Sequence, residues 1–325
     1  MHRRSFIARS TLALSASALG LPAARAALSK EGEPIKLVVP FAAGGSSDTV
    51  SRAIGVKMSE SLGIPVIVDN RPGGGGVIGA NAALTAKPDG RTLFVASNGA
   101  MIINPALRND LRYNPDKDFK LVAAMAQAPI FIWAKADLPA RSVADLVRLA
   151  KTKPLSVGSA GTGNITHLAS ANFASIAGIE LTHAPFSGDT PALAALAGGS
   201  LDLSFNSLVA AQSLAHAGRI RPLAILADQR DPALPEVPTL VESGYPGTAA
   251  AAWFGLAAAA AVPDAVVAQL NKAVNLALAQ DEVQQRLRSV GFTALPGSVA
   301  DFQKMYDTEA ATWRPLVKKL GLKVD

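Results

Sequence analysis

Two short segments of this 325-residue chain place glycines and hydroxyl residues where a strand-like run gives way to a helix-like one. The first covers 42–48 (Ala-Ala-Gly-Gly-Ser-Ser-Asp) after the apolar run 35–41, and the second covers 158–164 (Gly-Ser-Ala-Gly-Thr-Gly-Asn). The first N–H groups of a helix and the positive end of its dipole attract an anion, and glycines let it come close. The pattern predicts two anion-binding turns, with ordinary helix capping as the alternative at both.

The ionisable residues do not group in a way that suits catalysis or metal binding. His167 and His183 are sixteen residues apart, without a carboxylate or third histidine at ligand spacing. A serine nucleophile on a strained turn would need Gly-x-Ser-x-Gly, and Gly158-Ser-Ala-Gly161 is one residue short. Asp202 and Asp228 could pair with a histidine only if the fold happened to bring them together. The sequence predicts no catalytic residue and no metal site, with His167 as a packing or capping residue.

A glycine run offers the formal pattern of a dinucleotide-binding turn. Gly74, Gly76 and Gly79 match Gly-x-Gly-x-x-Gly after a strand-like segment. The acid that would bind a ribose at the end of the next strand is missing, because Ser97 and Asn98 stand there. Four consecutive glycines satisfy this pattern easily, so we predict no nucleotide and no other cofactor.

Composition narrows the possible functions further. With 49% hydrophobic residues, the chain can bury one large core or two smaller ones. The absence of cysteine excludes disulfides, thiolate sites and the lipid-bearing cysteine of a bacterial lipoprotein. The net charge is +6, but segment 1–26 holds four arginines and no acid, so the rest carries about +2 in scattered positions. We therefore predict no nucleic-acid partner.

The first 26 residues read as a signal peptide for export to the periplasm. They contain a basic start, an apolar stretch at 11–21 that is too short to span a bilayer, and Ala24-Arg-Ala26 before a cleavage point at Ala27. Arg3 and Arg4 in Arg-Arg-Ser-Phe-Ile resemble a twin-arginine signal, and an ordinary secretory signal is the alternative. Further along, the apolar run 249–262 is too short for a membrane span.

Strand and helix patterns alternate along the remaining chain, which favours parallel sheets covered by helices. We predict strands at 35–40, 65–69, 92–96, 121–126, 130–135, 155–158, 180–184, 202–206, 222–227 and 250–258. We predict helices at 48–62, 76–86, 142–152, 164–177, 190–198, 208–217, 264–278, 280–290 and 298–315. Both glycine turns join a strand to a helix, so two lobes could each present a helix start to a shared cleft.

Three motifs at fixed spacing establish a family resemblance. They are the turn 42–48, Asn70-Arg-Pro-Gly-Gly-Gly-Gly-Val-Ile-Gly79 and Lys87-Pro-Asp-Gly-Arg-Thr-Leu93. Shorter matching pieces follow in order at 97–99, 104–107, 113–119, 158–163, 166–168, 183–188, 234–239 and 253–256. From about Pro34 to its end, the chain resembles the periplasmic substrate-binding proteins of tripartite tricarboxylate transporters, the Bug family.

The resemblance implies an α/β, two-lobed periplasmic binding protein of the Venus flytrap, type II-like architecture. Each lobe would be a mostly parallel sheet flanked by helices, with two extended crossings that act as a hinge. Lobe one would comprise 27–128 and 243–325, and lobe two 129–242. It also implies a monomeric receptor that captures a small organic carboxylate and delivers it to the membrane permease subunits of the transporter. The candidate ligand-binding residues are Phe41, Ala43, Gly45, Ser46, Ser47, Ser97, Asn98, Ser159, Gly161, Thr162, Gly163, Phe186 and Asn206.

Two departures from the family pattern bear on the ligand. Phe186-Ser187-Gly188 stands where the family often has Tyr-Lys-Gly, and Asn206-Ser207 stands where it often has Asp-Asn. Without an acid at 206 to bind an ammonium group, we favour a dicarboxylate, hydroxy acid or aromatic acid over an amino acid, although Asp189 could restore an acid nearby. A secreted α/β hydrolase-like enzyme and a carboxylate receptor used for sensing remain the alternatives.

Overall fold

The computed structural model describes Leu28 and residues 32–322. The predicted signal peptide at 1–26 and its cleavage point lie outside these residues. The strands are β1 (Ile35–Val39), β2 (Val66–Asn70), β3 (Thr92–Ser97), β4 (Phe119–Pro129), β5 (Phe131–Lys135), β6 (Leu155–Ser159), β7 (Leu181–Pro185), β8 (Leu203–Asn206), β9 (Ile220–Ile225), β10 (Ala251–Ala259) and β11 (Thr293–Ala294). The helices are α1 (Ser46–Leu62), α2 (Val77–Leu84), α3 (Asn104–Leu107), α4 (Pro115–Asp118), α5 (Val143–Ala150), α6 (Ile165–Ala177), α7 (Asp189–Ala197), α8 (Leu208–His216), α9 (Asp264–Leu278), α10 (Asp281–Arg288) and α11 (Val299–Leu320).

The strands form two sheets, each flanked by helices. The first sheet has the order β11-β4-β10-β3-β1-β2, and the second has the order β7-β6-β8-β5-β9. Parallel pairing joins β1 to β2 and β3 in the first sheet, and β6 to β7 and β8 in the second. Both sheets are mixed, because β10 and β5 run antiparallel to their neighbours. The molecule is therefore a two-lobed α/β protein.

The two lobes are connected where the chain passes between the sheets. Only Ile130 separates β4 of the first sheet from β5 of the second, and the chain returns before β10. The connections bond to each other: Ile130 N–H donates to the Ala250 carbonyl at 3.1 Å, and Leu226 N–H donates to the Ile130 carbonyl at 2.8 Å. Two paired connections of this kind are suited to a hinge.

Local sequence explains where the main helices begin and end. Helices α5 and α11 begin with reciprocal capping boxes, Ser142 with Asp145 and Ser298 with Asp301. Helix α1 ends at Gly63, whose left-handed backbone (φ +66°) favours glycine. Within the described part of the chain, no helix has the length and apolarity needed to cross a membrane.

The predicted end of the last helix was wrong. We expected the helix to stop near Pro315, but α11 continues to Leu320. Proline removes a helical hydrogen bond, yet the extra turn buries Val317, which is 2% exposed. Burial of apolar surface thus outweighs the local penalty. The short elements α3, α4 and β11 were not predicted from the sequence.

The apolar core runs through both lobes. One cluster extends from Leu37 in β1 through Ile130 to Phe205 in β8. A second cluster is centred on Phe131 and Trp133, whose side chains point to the other face of β5 because directions alternate along a strand. Ile130 is 1% exposed, so the connection between the lobes belongs to the buried core.

Candidate functional site

The loop before α1 does not provide a side chain that caps the first N–H groups of the helix. Gly45 is the N-cap and provides no side chain to bond the first N–H groups of the helix. Asp48 points back instead: it accepts from Gly44 N–H at 3.0 Å and pairs with Arg52 at 2.9 Å. Burial would raise the pKa of Asp48, but the bonds from Arg52, Gly44 and Asn70 hold this pKa below its ordinary value. Asp48 therefore fixes the loop as an ionised carboxylate.

The start of α6 has a matching arrangement in the other lobe. Asn164 is its N-cap and accepts from Thr166 N–H at 3.0 Å. The Thr166 hydroxyl in turn accepts from Ala160 N–H at 2.9 Å. Gly161 and Gly163 have φ of +128° and +75°, which a residue with a side chain rarely adopts. Glycine at these two positions lets the backbone turn sharply from β6 into α6.

Two stacked histidines support this second loop from behind. The rings of His167 and His183 lie 3.8 Å apart, and His183 Nε2 is 2.6 Å from Ser159 Oγ. Gly163 N–H donates to His167 Nδ1 at 3.4 Å. Burial, with a further effect of His183, lowers the pKa of His167 to about 3, and burial lowers that of His183 to about 4. Both rings are therefore neutral near pH 7.

The segment before α7 reaches across to the loop of the first lobe. Ala42 N–H donates to the Ser187 carbonyl at 3.0 Å. Ser46 donates twice to Asp189 Oδ2, from its backbone N–H at 3.3 Å and from its hydroxyl at 2.6 Å. Ser46 Oγ also lies 2.6 Å from Ser207 Oγ. Ser46 is thus the centre of a polar contact between the lobes.

A second contact between the lobes involves the four-glycine run. Gly75 has φ +63°, and a Cβ added there would lie 2.2 Å from the Thr162 carbonyl oxygen. Asn104 Nδ2 donates to the Gly75 carbonyl at 2.9 Å and holds the run in place. The close approach of backbone to backbone requires glycine at this position. The run that matched a dinucleotide pattern therefore packs against the loop of the other lobe.

Both helix starts face one small cavity between the lobes. Its polar lining is Ser46, Ser47, Asn164, Thr166, Asp189 and Ser207, and its apolar lining is Phe41, Ile130, Ala160, Ile165, Ala252 and Phe254. The cavity volume is about 20 Å³, which is room for a single water molecule. The lobes are therefore closed on each other, and an organic acid can enter only when they separate.

The predicted residues divide into those that line this cavity and those that lie around it. Phe41, Ser46 and Ser47 line it. The other predicted residues, which do not line it, are Ala43, Gly45, Ser97, Asn98, Ser159, Gly161, Thr162, Gly163, Phe186 and Asn206. Of these, Gly45 caps α1, and Asn98 Nδ2 donates to the Ala251 carbonyl at 2.8 Å. Phe186 packs against the smaller apolar cluster.

Residues 206 and 207 take different positions. Asn206 is fully buried, its Nδ2 donates to Ser204 Oγ at 2.6 Å, and its Oδ1 has no partner among the described residues. Ser207 lines the cavity and contacts Ser46. Asp189 was named from the sequence as a nearby acid, but Ser207, Ile130 and Phe254 were not predicted in the site. The sequence signals for them were weak: Ser207 belongs to a pair that departs from the family pattern, Phe254 lies in the matching piece 253–256, and Ile130 lies at a crossing.

Asp189 is the acid of this cavity. Burial raises the pKa of its carboxyl, while the hydrogen bonds from Ser46 act in the opposite direction. No lysine, arginine or histidine lines the cavity among the described residues. A carboxylate that lacks a cation in a desolvated space resists ionisation, which explains the direction of the shift.

Two larger grooves lie on the outer surface of the first lobe. They have volumes of about 440 and 780 Å³ and share Pro115, Asp116 and Arg314. Arg314 is already paired with Asp116 at 2.9 Å, and neither groove includes the start of a long helix. The small cavity between the lobes is the better candidate site because backbone donors and hydroxyls from both lobes meet there.

Two α/β lobes that close on a shared cavity, with a helix start from each lobe at its wall, define a two-lobed binding protein. Residues 50–322 match the family described as "Tripartite tricarboxylate transporter family receptor". The chain belongs to this family, as its motifs had indicated.

Solved structures of similar proteins share the fold. The Rhodopseudomonas palustris protein Rpa4515, solved with adipate, is 34% identical with a TM-score of 0.86, over 90% of this chain and 98% of that one. MatC from the same organism, solved with bound malate, is 34% identical with a TM-score of 0.83, over 88% and 99%. The periplasmic binding protein BugD is 30% identical with a TM-score of 0.86, over 90% and 99%. One of these neighbours is a periplasmic binding protein and the other two were solved with an organic acid, which agrees with the family assignment.

Proposed function

We propose that this protein is a periplasmic receptor that captures a small organic carboxylate between its lobes and delivers it to a tripartite tricarboxylate-type transporter. The observation that carries the proposal is the meeting of the α1 and α6 starts at one cavity, α1 through Ser46 and Ser47 and α6 through Asn164 and Thr166. Helix starts from two lobes give a carboxylate backbone donors on both sides. The adipate and malate bound by two relatives support this ligand class.

Closure of the lobes supplies the affinity in this proposal. When the hinge at Ile130 opens, water reaches the first turns of both helices, and when it closes, a bound acid replaces that water. Charge-assisted hydrogen bonds are stronger in a desolvated site than on a surface. Phe41 and Phe254 provide apolar walls for the carbon skeleton of the acid. The lobe boundaries in this proposal are 27–128 with 243–325, and 129–242.

Within this class, we favour a dicarboxylate, hydroxy acid or aromatic acid over an amino acid. Position 206 holds a buried neutral amide, so the deep part of the second lobe has no acid there to bind an ammonium group. The acid that does line the cavity, Asp189, already accepts two hydrogen bonds from Ser46. The other polar lining residues, apart from Asp189, are hydroxyl or amide residues.

Location and partners complete the proposal. The related BugD is a periplasmic binding protein, and the signal peptide predicted at 1–26 would bring this chain to that compartment. There a monomer would dock on the membrane permease subunits. A receptor used for sensing would bind the acid in the same cleft. It would differ only in the partner protein that recognises the closed form.

An enzyme is the second candidate, because Ser159 and His183 form a serine–histidine contact of 2.6 Å. Ser159 is fully buried, and its oxygen also accepts from Gly161 N–H at 3.2 Å. A nucleophile must reach its substrate, and this hydroxyl lies behind the loop and outside the cavity lining. The geometry therefore favours a structural role for the pair.

A thermal-shift screen tests the proposed function. Residues 27–325 would be heated with mono-, di- and tricarboxylates, aromatic acids and amino acids, and each acid would be recovered and checked for chemical change. An acid at about a hundred times its Kd stabilises the folded state by about 2.7 kcal/mol, which is a shift of a few degrees. A shift with one class of intact acid supports the receptor. A chemically altered acid would favour the enzyme, and no shift with any acid would contradict carboxylate capture.

A further inference from the structure

The acid of the cavity occupies the position where the proposed function puts the ligand. Asp189 Oδ2 accepts the backbone N–H of Ser46 at 3.3 Å and its hydroxyl at 2.6 Å. Ser46 is the first residue of α1, and its N–H is one of the free donors at the helix start. A carboxylate from the second lobe thus holds the anion-binding donors of the first lobe.

The contact belongs to a fitted interface. Gly188, immediately before Asp189, has φ +142°, and a Cβ there would lie 3.1 Å from the Ala42 nitrogen. The Thr190 hydroxyl, immediately after it, donates to the Ala43 carbonyl at 3.4 Å. Both neighbours of Asp189 therefore contact the loop before α1. These contacts fix the backbone of Asp189 so that its carboxyl points at Ser46.

No cation compensates this carboxyl within the described residues. On the elements packed against α7, the ionisable groups are Lys135 at the far end of β5, which pairs with Asp202 at 3.1 Å, and His216 at the end of α8. Across the cavity, α1 contributes Asp48 and Arg52, which pair with each other. The remaining groups near the second loop are His167 and His183, which stack together.

We propose that Asp189 is a specificity-determining residue that competes with the ligand carboxylate for Ser46 and makes binding of an organic acid depend on uptake of a proton. The proposal rests on the proposed function. Two ionised carboxylates in one desolvated space repel each other, so one of them takes a proton when the acid enters. The protonated Asp189 can then donate a hydrogen bond to the ligand carboxylate. The cleft would accept an acid together with one proton.

Calorimetric titration with adipate and with malate tests the inference. Residues 27–325 would be titrated between about pH 6.5 and 8.5, where both acids are ionised, in buffers with different ionisation enthalpies. We expect the wild type to take up about one proton per ligand, and its affinity to fall by up to about tenfold for each pH unit. The asparagine in Asp189→Asn cannot ionise, and its amide can still donate a hydrogen bond to the ligand. This variant should therefore bind each acid with little pH dependence, and more tightly than the wild type at pH 8.5.

The matched control is Asp145→Asn, which removes the same charge at the first turn of another helix in the second lobe. It should behave as the wild type in every titration. Binding by the wild type without proton uptake, or the same pH dependence in Asp189→Asn, would overturn the inference. So would an amino acid that binds without proton uptake and is lost in Asp189→Asn, because Asp189 would then bind an ammonium group.

A measurement without ligand separates this inference from the proposed function. The melting temperature of Asp189→Asn relative to the wild type should rise from about pH 5 to pH 8, because burial makes the wild-type carboxyl harder to ionise in the folded state than in the unfolded state. If neither acid binds to either protein, the proposed function is contradicted for these acids. The difference in melting temperature still shows whether the Asp189 carboxyl resists ionisation in the folded protein. A difference that does not change with pH would contradict the inference.

Discussion

At the scale of single residues, Ser46 links the two lobes. Its N–H and hydroxyl both reach Asp189, and its oxygen meets Ser207 from the same lobe as Asp189. The sequence identified Ser46 from its place in a glycine–serine turn before a helix. It could not identify Ser207, because a serine after a short strand is an ordinary N-cap, and only the packing of the lobes brings the two hydroxyls together.

Replacement of Ser46 tests its role in the site. We expect Ser46→Ala to weaken binding of the acid found in the screen by roughly tenfold, about 1.4 kcal/mol, because one donor to a charged group is lost. Ser61→Ala in the same helix is the control, since Ser61 is exposed and its hydroxyl donates only to the Met58 carbonyl. Equal affinities of Ser46→Ala and Ser61→Ala in calorimetry would remove Ser46 from the site.

The histidine pair gives the protein a pH dependence of its own. The pKa values of about 3 and about 4 lie below the ordinary value of 6.5, so folding favours the neutral rings. This stability is present above about pH 6.5 and is lost as the pH falls towards 4. We expect the melting temperature of the wild type to fall between pH 7 and pH 5 by roughly 2 °C or more beyond that of a His167→Gln, His183→Gln double variant. Parallel curves for the two proteins would contradict the assigned cause.

At the scale of elements, alternation of strands and helices was predictable from hydrophobic patterns, and most elements lie where the patterns placed them. The antiparallel direction of β10 and β5 in their sheets was not predictable, because strand direction depends on where the chain crosses between the lobes. The role of the glycine run 73–76 was hidden for the same reason. Its partner, Thr162, lies in the other lobe and far along the chain.

A methyl group on Gly75 should interfere with closure. Gly75→Ala would bring a Cβ to 2.2 Å from the Thr162 carbonyl oxygen, so the lobes should stop short of the closed state. We expect affinity for the acid to fall by tenfold or more, on the order of 1.4 kcal/mol, and the radius of gyration with ligand to stay above that of the wild type. Small-angle scattering and calorimetry measure both effects.

Gly178→Ala is the matched control for this substitution. Gly178 has φ +61°, close to the +63° of Gly75, and a Cβ there would lie more than 4 Å from every other described residue it could contact. Both variants should lose about 1–2 kcal/mol of folding stability from the left-handed backbone. Only Gly75→Ala should lose affinity, and an equal loss in the two variants would show that closure is not involved.

At the scale of the whole molecule, two lobes close over a space that holds one water molecule, so capture of an acid requires the hinge to open. The paired connections at Ile130, Leu226 and Ala250 are the places where rotation can occur without breaking either sheet. The starts of α1 and α6 meet at the cavity only when the lobes are together, so a captured acid that bonds to both would favour closure. Family motifs in the sequence predicted this architecture, while the closed geometry of the cleft emerged only from the structure.

The most direct test of carboxylate capture is a crystal structure of residues 27–325 with the acid that binds most tightly in the screen. We predict the acid between the lobes, which it keeps further apart than the one-water cavity requires, with a carboxylate oxygen about 3 Å from the backbone nitrogens of Ser46 or Ser47 and a second contact from the loop before α6. Density for the acid in the grooves beside Asp116 and Arg314, with the cleft unchanged, would contradict the account.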